Sequence, residues 1–119
     1  MAKILIVDDA AFMRMMLKDT LLKEGYNDIY EAADGVEAVE TYEAIHPELV
    51  IMDITMPNMD GLAALRAIRE KDPNASVVMC SALGQESIVI EAIKAGAKDF
   101  IVKPFKIERV LRTVANIIG

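Results

Sequence analysis

Short apolar runs in this chain end four times at a polar residue whose side chain is able to do chemistry. In chain order these residues are Asp8 with Asp9, Asp53, Ser81 and Lys103. Solid apolar runs are typical of strands that are buried on both faces of a parallel sheet. Because the carboxyl ends of parallel strands meet at one edge of the sheet, where α/β proteins bind ligands, we expect these side chains to converge there.

The three carboxylates predicted to meet at this edge repel one another, so the site needs a source of positive charge or a protonated acid. Two unit charges ~5 Å apart repel each other by roughly 3 kcal/mol at an effective dielectric constant of about 20. Lys103, a raised pKa or a bound divalent cation would relieve this repulsion. An oxygen-only ligand set favours Mg²⁺. Zinc is disfavoured, because the single histidine, His46, lies before Pro47 after the second helix, far from the strand ends, and Cys80 lies inside an apolar run.

Asp53 is the predicted centre of the chemistry. A carboxylate can act as a nucleophile and form an acyl phosphate. A metal ion would neutralise charge on the transferring group, while Lys103 and the Ser81 hydroxyl would bind its oxygens. The four positions together therefore predict metal-assisted phosphoryl transfer to Asp53.

Each of these residues also has an ordinary structural interpretation. Asp9 could simply cap the first helix, Ser81 could be a cap or a loop hydroxyl, and Lys103 beside Pro104 could be a solvated lysine. Four such residues at neighbouring strand ends favour the site over four separate coincidences.

Other polar and sulfur-containing residues are predicted to be structural. Asn58 and Asp60 are expected to shape a turn and cap the third helix, and Asp34-Gly35 is expected to form another turn. Core packing is predicted for the methionines of the first helix, which are Met13, Met15 and Met16.

Strand and helix patterns alternate five times, which predicts an α/β fold with a mainly parallel five-stranded sheet and helices on both faces. The predicted strands are 3–7, 28–32, 49–53, 77–81 and 99–103, and the helices end near 23, 45, 72, 95 and 118. The strand order 2-1-3-4-5 is taken from flavodoxin-like folds. It places the second strand, which alternates polar and apolar residues, at an edge of the sheet.

Length and composition predict one domain over residues 1–119 without an output domain. The chain is 54% hydrophobic and 27% charged, which is typical of a globular fold. Its net charge of −6 argues against nucleic acid or an anionic membrane as the main partner. The single cysteine indicates a reducing compartment, and no apolar run approaches the ~20 residues of a membrane span. We therefore expect a cytoplasmic protein.

The chain resembles the receiver domains of two-component response regulators over its whole length, and most of all the CheY-like single-domain receivers of chemotaxis. The motifs that carry the resemblance are Ile6-Val7-Asp8-Asp9, Met52-Asp53-Ile54-Thr55-Met56-Pro57 with Asp60-Gly61, Ser81-Ala82 and Lys103-Pro104-Phe105.

The resemblance implies a role for each acid. Asp53 matches the phosphoacceptor. Asp8 and Asp9 match the acids that hold Mg²⁺ directly or through water, and the metal would also take the backbone carbonyl of Thr55.

The remaining matched positions concern the switch and its timing. Ser81 matches the switch hydroxyl, and Lys103 matches the phosphate-pairing lysine that is usually joined to its proline by a cis bond. Phe100 falls at the switch aromatic, where it lacks the hydroxyl of the tyrosine often found there. Leu83 and Thr55 match positions that tune dephosphorylation.

The resemblance also implies partners. A CheA-like histidine kinase would supply the phosphoryl group, an output protein such as the flagellar motor switch would read the changed surface, and a phosphatase could reset it. The protein would be a monomer and not an enzyme, with at most its own phosphorylation and dephosphorylation to catalyse. The output surface would be formed by the fourth helix, fifth strand and fifth helix.

The apolar residues of the fourth helix allow two interpretations, since they occupy more rows than one sheet face can cover. These residues are Ile88, Val89, Ile90 and Ile93. The helix could be buried broadly between its neighbours, or part of it could join Phe100 and Val102 in a surface that binds a partner.

Other functions remain open. The chain could be a stand-alone receiver outside chemotaxis, or a receiver used only for docking. A magnesium-dependent aspartyl phosphatase would usually carry a second acid two residues after the nucleophile, where Thr55 stands. A nucleotide or flavin binder is disfavoured because Asp8-Asp9 follows the first strand in place of a glycine-rich loop.

Overall fold

The computed structural model describes residues 2–82 and 84–119, which form five strands that alternate with five helices. The strands are β1 (Lys3–Val7), β2 (Asp28–Ala32), β3 (Leu49–Met52), β4 (Val77–Ser81) and β5 (Asp99–Val102). The helices are α1 (Ala11–Lys23), α2 (Gly35–Ile45), α3 (Gly61–Lys71), α4 (Glu86–Lys94) and α5 (Ile107–Ile118).

The strands form one parallel sheet in the order β2-β1-β3-β4-β5. This confirms the predicted flavodoxin-like α/β fold. All residues of β3 and β4 are buried, as their apolar runs predict, whereas β2 lies at an edge and is only partly buried. The register pairs Val7 with Met52, and Ser81 with Val102, so the carboxyl ends of β1, β3, β4 and β5 lie side by side.

Alternate strand residues build a separate core on each face of the sheet. On one face, Leu5, Val50 and Met79 contribute to a core with α2, α3 and α4. On the other face, Ile4 and Ile51 contribute to a core with α1 and α5. The helices therefore cover both faces, which explains why β3 is wholly apolar and β4 is apolar up to Ser81.

Two helices begin at the turn acids recognised in the sequence. Asp34 caps α2, since its side chain accepts a hydrogen bond from the Glu37 amide at 2.8 Å. Asp60 caps α3 in the same way through the Ala63 amide at 2.8 Å. These two bonds satisfy amides that have no partner within the helix.

Element ends differ from the predicted ones by one residue in several places. β3 ends at Met52 and β5 at Val102, so Asp53 and Lys103 lie just beyond their strands. Asp72 is the residue that caps the end of α3 and is not part of the helix.

The prediction that the methionines of α1 fill the core is wrong for two of the three. Met15 is 56% and Met16 38% exposed, because α1 turns Leu17, Thr20 and Leu21 toward the sheet. Met13 is half-buried.

The broadly buried interpretation of α4 is also wrong. Its fully buried residue is Ala92, whereas Ile90 and Ile93 are 44% and 47% exposed. One side of α4 therefore presents apolar side chains to solvent. Among the described residues, no helix combines the length and apolar character that crossing a membrane requires.

Candidate functional site at the carboxyl edge of the sheet

Backbone hydrogen bonds continue the strand pairing one residue past three strands and so fix the residues of the site. The amide of Asp8 donates to the Ala32 carbonyl at 3.1 Å, and the amide of Asp53 donates to the Val7 carbonyl at 2.9 Å. The amide of Lys103 donates to the carbonyl of Ser81 at 2.9 Å. The side chains of the site therefore start from a rigid edge of the sheet.

The three predicted acids meet at this edge. One carboxylate oxygen from each of Asp8, Asp9 and Asp53 lies within 4.8 Å of the others. Asp8 is buried, Asp53 is half-buried and Asp9 is exposed. The alternative that Asp9 caps the first helix is wrong, since α1 is preceded by Ala10 and no side chain caps it. The Ala10 amide donates instead to Oδ1 of Asp8 at 2.9 Å.

Lys103 lies among these acids. Its Nζ donates to Oδ2 of Asp8 at 2.7 Å and lies 3.6 Å from Oδ2 of Asp53. The side chain is only 16% exposed, so the interpretation of Lys103 as a solvated lysine is wrong. Burial alone would lower the pKa of Lys103, but the hydrogen bond to Asp8 and the charges of Asp53 and Asp8 outweigh it and raise the pKa. Lys103 therefore stays charged. The Lys103–Pro104 peptide bond is cis, as the resemblance implies.

Asp53 has a raised pKa, chiefly because the carboxyl group is removed from water. The charges of Asp8 and Asp9 raise it further, while Lys103 and the Ile54 amide oppose the increase. The amide of Ile54 donates to Oδ1 of Asp53 at 2.8 Å, whereas Oδ2 faces Lys103. A second cation beside these acids would stabilise the ionised carboxylate that a nucleophile requires.

Ser81 and Phe100 lie on the two neighbouring strands. Ser81 is the last residue of β4 and is 1% exposed, and Phe100 on β5 is 8% exposed within the core that contains α4. Of the two β5 residues expected at a partner surface, Val102 is 47% exposed and Phe100 is buried. Leu83 lies outside the described residues.

The loop between β3 and α3 carries Thr55, whose side chain is exposed. The amide of Gly61 donates to the Ile54 carbonyl at 2.7 Å and closes the base of this loop. A Cβ atom on Gly61 would lie 1.9 Å from the Asp53 carbonyl oxygen, so only glycine allows this close approach.

Three contacts near the site were not predicted from the sequence. The Nη1 atom of Arg14 donates to the Asp8 carbonyl at 2.6 Å, while its Nε donates to Oε1 of Glu31 at 3.0 Å. At the β3–α3 loop, Nδ2 of Asn58 donates to Oδ2 of Asp34 at 2.6 Å. These contacts join residues from different helices, strands or loops, and no periodic pattern or motif indicates such pairs.

The donor set fits a hard divalent cation. Three carboxylates supply only oxygen atoms, and Cys80 beside the site is buried with a pKa raised to about 12 by burial. Mg²⁺ prefers oxygen ligands and keeps several waters, which suits a site with one exposed acid.

Comparison with known proteins places these residues in a family. Residues 4–115 match the model of the response regulator receiver domain. The chemotaxis protein CheY of Bacillus subtilis is 60% identical over 112 residues, which cover 94% of this chain and 93% of that protein. CheY of Thermotoga maritima is 57% identical over 115 residues, covering 97% and 96% of the two chains.

A solved structure extends this likeness to the fold. The CheX–CheY complex with BeF₃ and Mg²⁺ from Borrelia burgdorferi matches with a TM-score of 0.95 and 44% identity, covering 99% of this chain and 90% of that chain. The acids of the site, the lysine that pairs with them and the sheet that holds them thus occur within an established domain type. This chain belongs to the family of response regulator receiver domains.

Proposed function

We propose that this protein is a chemotaxis response regulator that is switched by phosphorylation of Asp53. The observation that carries the proposal is the position of Lys103 Nζ, 2.7 Å from Asp8 and 3.6 Å from Asp53, beside three converging carboxylates. One fixed cation faces three acids, so the site keeps net negative charge that a divalent metal ion would neutralise before a negatively charged phosphoryl group approaches.

The proposed reaction is the transfer of a phosphoryl group from a phosphohistidine to Asp53. A carboxylate oxygen of Asp53 forms a new O–P bond while the P–N bond to the donor histidine breaks, and the electron pair returns to the imidazole nitrogen. Mg²⁺ held by Asp8, Asp9, Asp53 and the Thr55 carbonyl would supply charge neutralisation for the transferring group. Lys103 would exchange part of its contact with Asp8 for a phosphoryl oxygen. Hydrolysis of the acyl phosphate would be the only turnover.

The phosphoryl group would then shift a two-state equilibrium. Ser81 ends the neighbouring strand, and its carbonyl accepts from the Lys103 amide, so a movement toward the phosphoryl group would pull β4 and β5 together. Phe100 would follow this movement by changing rotamer within the core, without a hydroxyl to bond at the surface. The exposed Ile90, Ile93 and Val102 would form part of the output surface of α4, β5 and α5.

The relatives support the choice of pathway and partners. Two relatives with 57–60% identity are chemotaxis proteins, and the Borrelia protein is complexed with CheX, BeF₃ and Mg²⁺. By analogy, a CheA-like histidine kinase would phosphorylate this protein as a monomer, an output protein such as the flagellar motor switch would bind it, and a phosphatase would reset it.

Acetyl phosphate tests the phosphoacceptor directly. The protein is incubated with acetyl phosphate and Mg²⁺, and its intact mass is measured. We expect one added phosphoryl group on the wild type, none on Asp53→Asn, and none when Mg²⁺ is chelated. An unmodified wild type, or the same adduct on Asp53→Asn, would contradict the proposal. Sustained phosphate release from unrelated monoesters would favour an aspartyl phosphatase instead.

The output surface needs a separate experiment. Beryllium fluoride mimics the phosphoryl group, so binding of an output protein should strengthen when it is present. Val102→Ser should weaken this binding without changing phosphorylation by acetyl phosphate. Equal binding with and without beryllium fluoride would leave only a docking module.

A further inference from the structure

The tip of the β3–α3 loop is tied to the beginning of α2 by two hydrogen bonds. The amide of Gly35 donates to the carbonyl of Met59 at 3.0 Å. Beside it, Nδ2 of Asn58 donates to Oδ2 of Asp34 at 2.6 Å. These bonds join residues about 24 positions apart and have no role in the reaction described above.

The fit at this junction is close. A Cβ atom on Gly35 would lie 2.4 Å from the Met59 carbonyl oxygen. Asn58 has a φ of +67°, and the Met59 amide donates across it to the Pro57 carbonyl at 2.7 Å. Asparagine tolerates this left-handed conformation better than most residues. The sharp turn directs the Asn58 side chain to Asp34.

Asp34 has two separate tasks. Its Oδ1 accepts from the Glu37 amide and caps α2, whereas its Oδ2 accepts from Asn58. The Glu37 amide, and then Asn58, hold the pKa of Asp34 below its ordinary value. The carboxylate is therefore ionised at neutral pH, and its bond to Asn58 is charge-assisted. A cap alone would need only the first of these bonds.

Thr55 lies between the two fixed ends of this loop. At its base, Gly61 bonds to Ile54 and packs against the Asp53 carbonyl. At its tip, Asn58 and Met59 bond to the start of α2. The path of the backbone through Thr55 is thus set by contacts on both sides.

We propose that Asp34 and Asn58 are positioning residues that hold the Thr55 carbonyl in place and thereby set the affinity of the site for Mg²⁺. This inference rests on the proposed function, since it takes that carbonyl as a ligand. Mg²⁺ demands nearly ideal octahedral geometry with short ligand distances, so a small displacement of one ligand weakens binding. Groups that orient metal ligands typically change affinity by about tenfold or more when they are removed.

Three variants separate positioning from general loop stability. Asn58→Gly removes the side chain, keeps the charge of the protein and suits the positive φ. Asn58→Asp places a carboxylate against Asp34, and the double variant Asp34→Asn/Asn58→Asp restores the hydrogen bond with donor and acceptor exchanged, while asparagine still caps α2. Asn74→Gly is the matched control. Asn74 is exposed in the turn between α3 and β4, which lies at the amino ends of the strands, away from the site.

The measurement is a titration of the whole protein with Mg²⁺ alone, followed through backbone amide NMR shifts, together with thermal unfolding in EDTA. We expect Asn58→Gly to bind Mg²⁺ about tenfold more weakly than the wild type, with Asn74→Gly unchanged. The double variant should bind more tightly than Asn58→Asp.

Wild-type affinity in folded Asn58→Gly, or no rescue in a folded double variant, would overturn the inference and leave phosphorylation of Asp53 intact. A wild type without saturable shifts at the site would overturn the proposed magnesium site itself, and the inference with it.

Discussion

The Nζ atom of Lys103 lies 2.7 Å from Oδ2 of Asp8, although the two residues are 95 positions apart in the chain. Their side chains are only 16% and 4% exposed, so this ion pair is largely removed from water. Lys103 also faces Asp53 at 3.6 Å. One lysine thus balances a buried and a half-buried acid, and it contributes to the stability of the fold as well as to the proposed chemistry.

Replacing Lys103 should therefore lower stability. Breaking a buried pair leaves the remaining charge without compensation, which typically costs about 3 kcal/mol or more. We expect Lys103→Met to lose about 3 kcal/mol of unfolding free energy in EDTA, measured by urea denaturation. Mg²⁺ should stabilise this variant more than the wild type, because the acids then lack their own cation.

Lys98→Met provides the control for this experiment. Lys98 is exposed on the turn before β5, and its loss should change stability by less than about 0.5 kcal/mol. A Lys103→Met variant as stable as Lys98→Met would show that the pair with Asp8 contributes nothing to the fold.

Gly61→Ala should displace the backbone beside Asp53, the proposed phosphoacceptor. Its Cβ atom would meet the Asp53 carbonyl oxygen at 1.9 Å, and neither backbone segment is free to move. We expect a loss of about 3 kcal/mol on thermal or chemical unfolding, with slower phosphorylation by acetyl phosphate.

Gly25→Ala separates steric overlap from backbone strain, since Gly25 has a φ of +91° but nothing within 4 Å of its Cβ position. That variant should lose about 1–2 kcal/mol and keep normal phosphorylation. Equal effects of the two substitutions would contradict the steric explanation.

Acid sensitivity should depend on the contact between Arg109 on α5 and Asp99 on β5. Arg109 donates to both carboxylate oxygens of Asp99 at 3.1 Å. Burial alone would raise the pKa of Asp99, but Arg109 and the Phe100 amide outweigh it and lower the pKa. A lowered pKa adds stability that is complete above the ordinary value of about 3.9 and is lost as the pH falls through the folded-state value.

Arg109→Met should thus be less stable by about 1 kcal/mol at neutral pH. This difference should shrink as the pH falls below about 4. Denaturation measured across this pH range tests both statements. Arg112→Met, which removes an exposed arginine of the same helix, should follow the wild type at every pH. If the stability deficit of Arg109→Met grew as the pH fell, that result would contradict the lowered pKa of Asp99.

Cys80 should be inert in the folded protein. Its side chain is 2% exposed, and burial raises the pKa of the thiol to about 12. Because the thiolate is the reactive form, the native protein should react with a disulfide reagent at least about a thousandfold more slowly than the unfolded chain. The reaction is followed by absorbance with and without guanidinium chloride, and Cys80→Ser should give no signal, since the chain has no other cysteine. A fast reaction of native protein would contradict the buried placement.

The sequence was sufficient to predict a mainly parallel sheet with the acids and the lysine at one edge, whereas the order of its strands was taken from flavodoxin-like folds. The apolar runs before Asp8, Asp53 and Lys103 locate strand ends, and parallel pairing brings such ends together. The amides of these three residues also continue the hydrogen-bond ladder of the sheet. The predicted strand ends therefore indicate where the side chains that follow them lie.

The remaining contacts depend on the packing of one loop or helix against another. The bond between Asn58 and Asp34 requires two turns to approach, and the turn signals indicate each turn without its neighbour. The exposure of Met15 depends on how α1 rotates against the sheet, and its weakly amphipathic sequence does not set that rotation. Local patterns specify elements, whereas such details follow from their mutual placement.

The sheet order β2-β1-β3-β4-β5 has a consequence for the making of the protein. The ribosome releases β1 and β3, with the acids that follow them, before it has made β5 and Lys103. A nascent chain therefore carries Asp8, Asp9 and Asp53 before it has the lysine that forms the ion pair with Asp8. The compensation of charge at this edge of the sheet is completed only by one of the last segments to be synthesised.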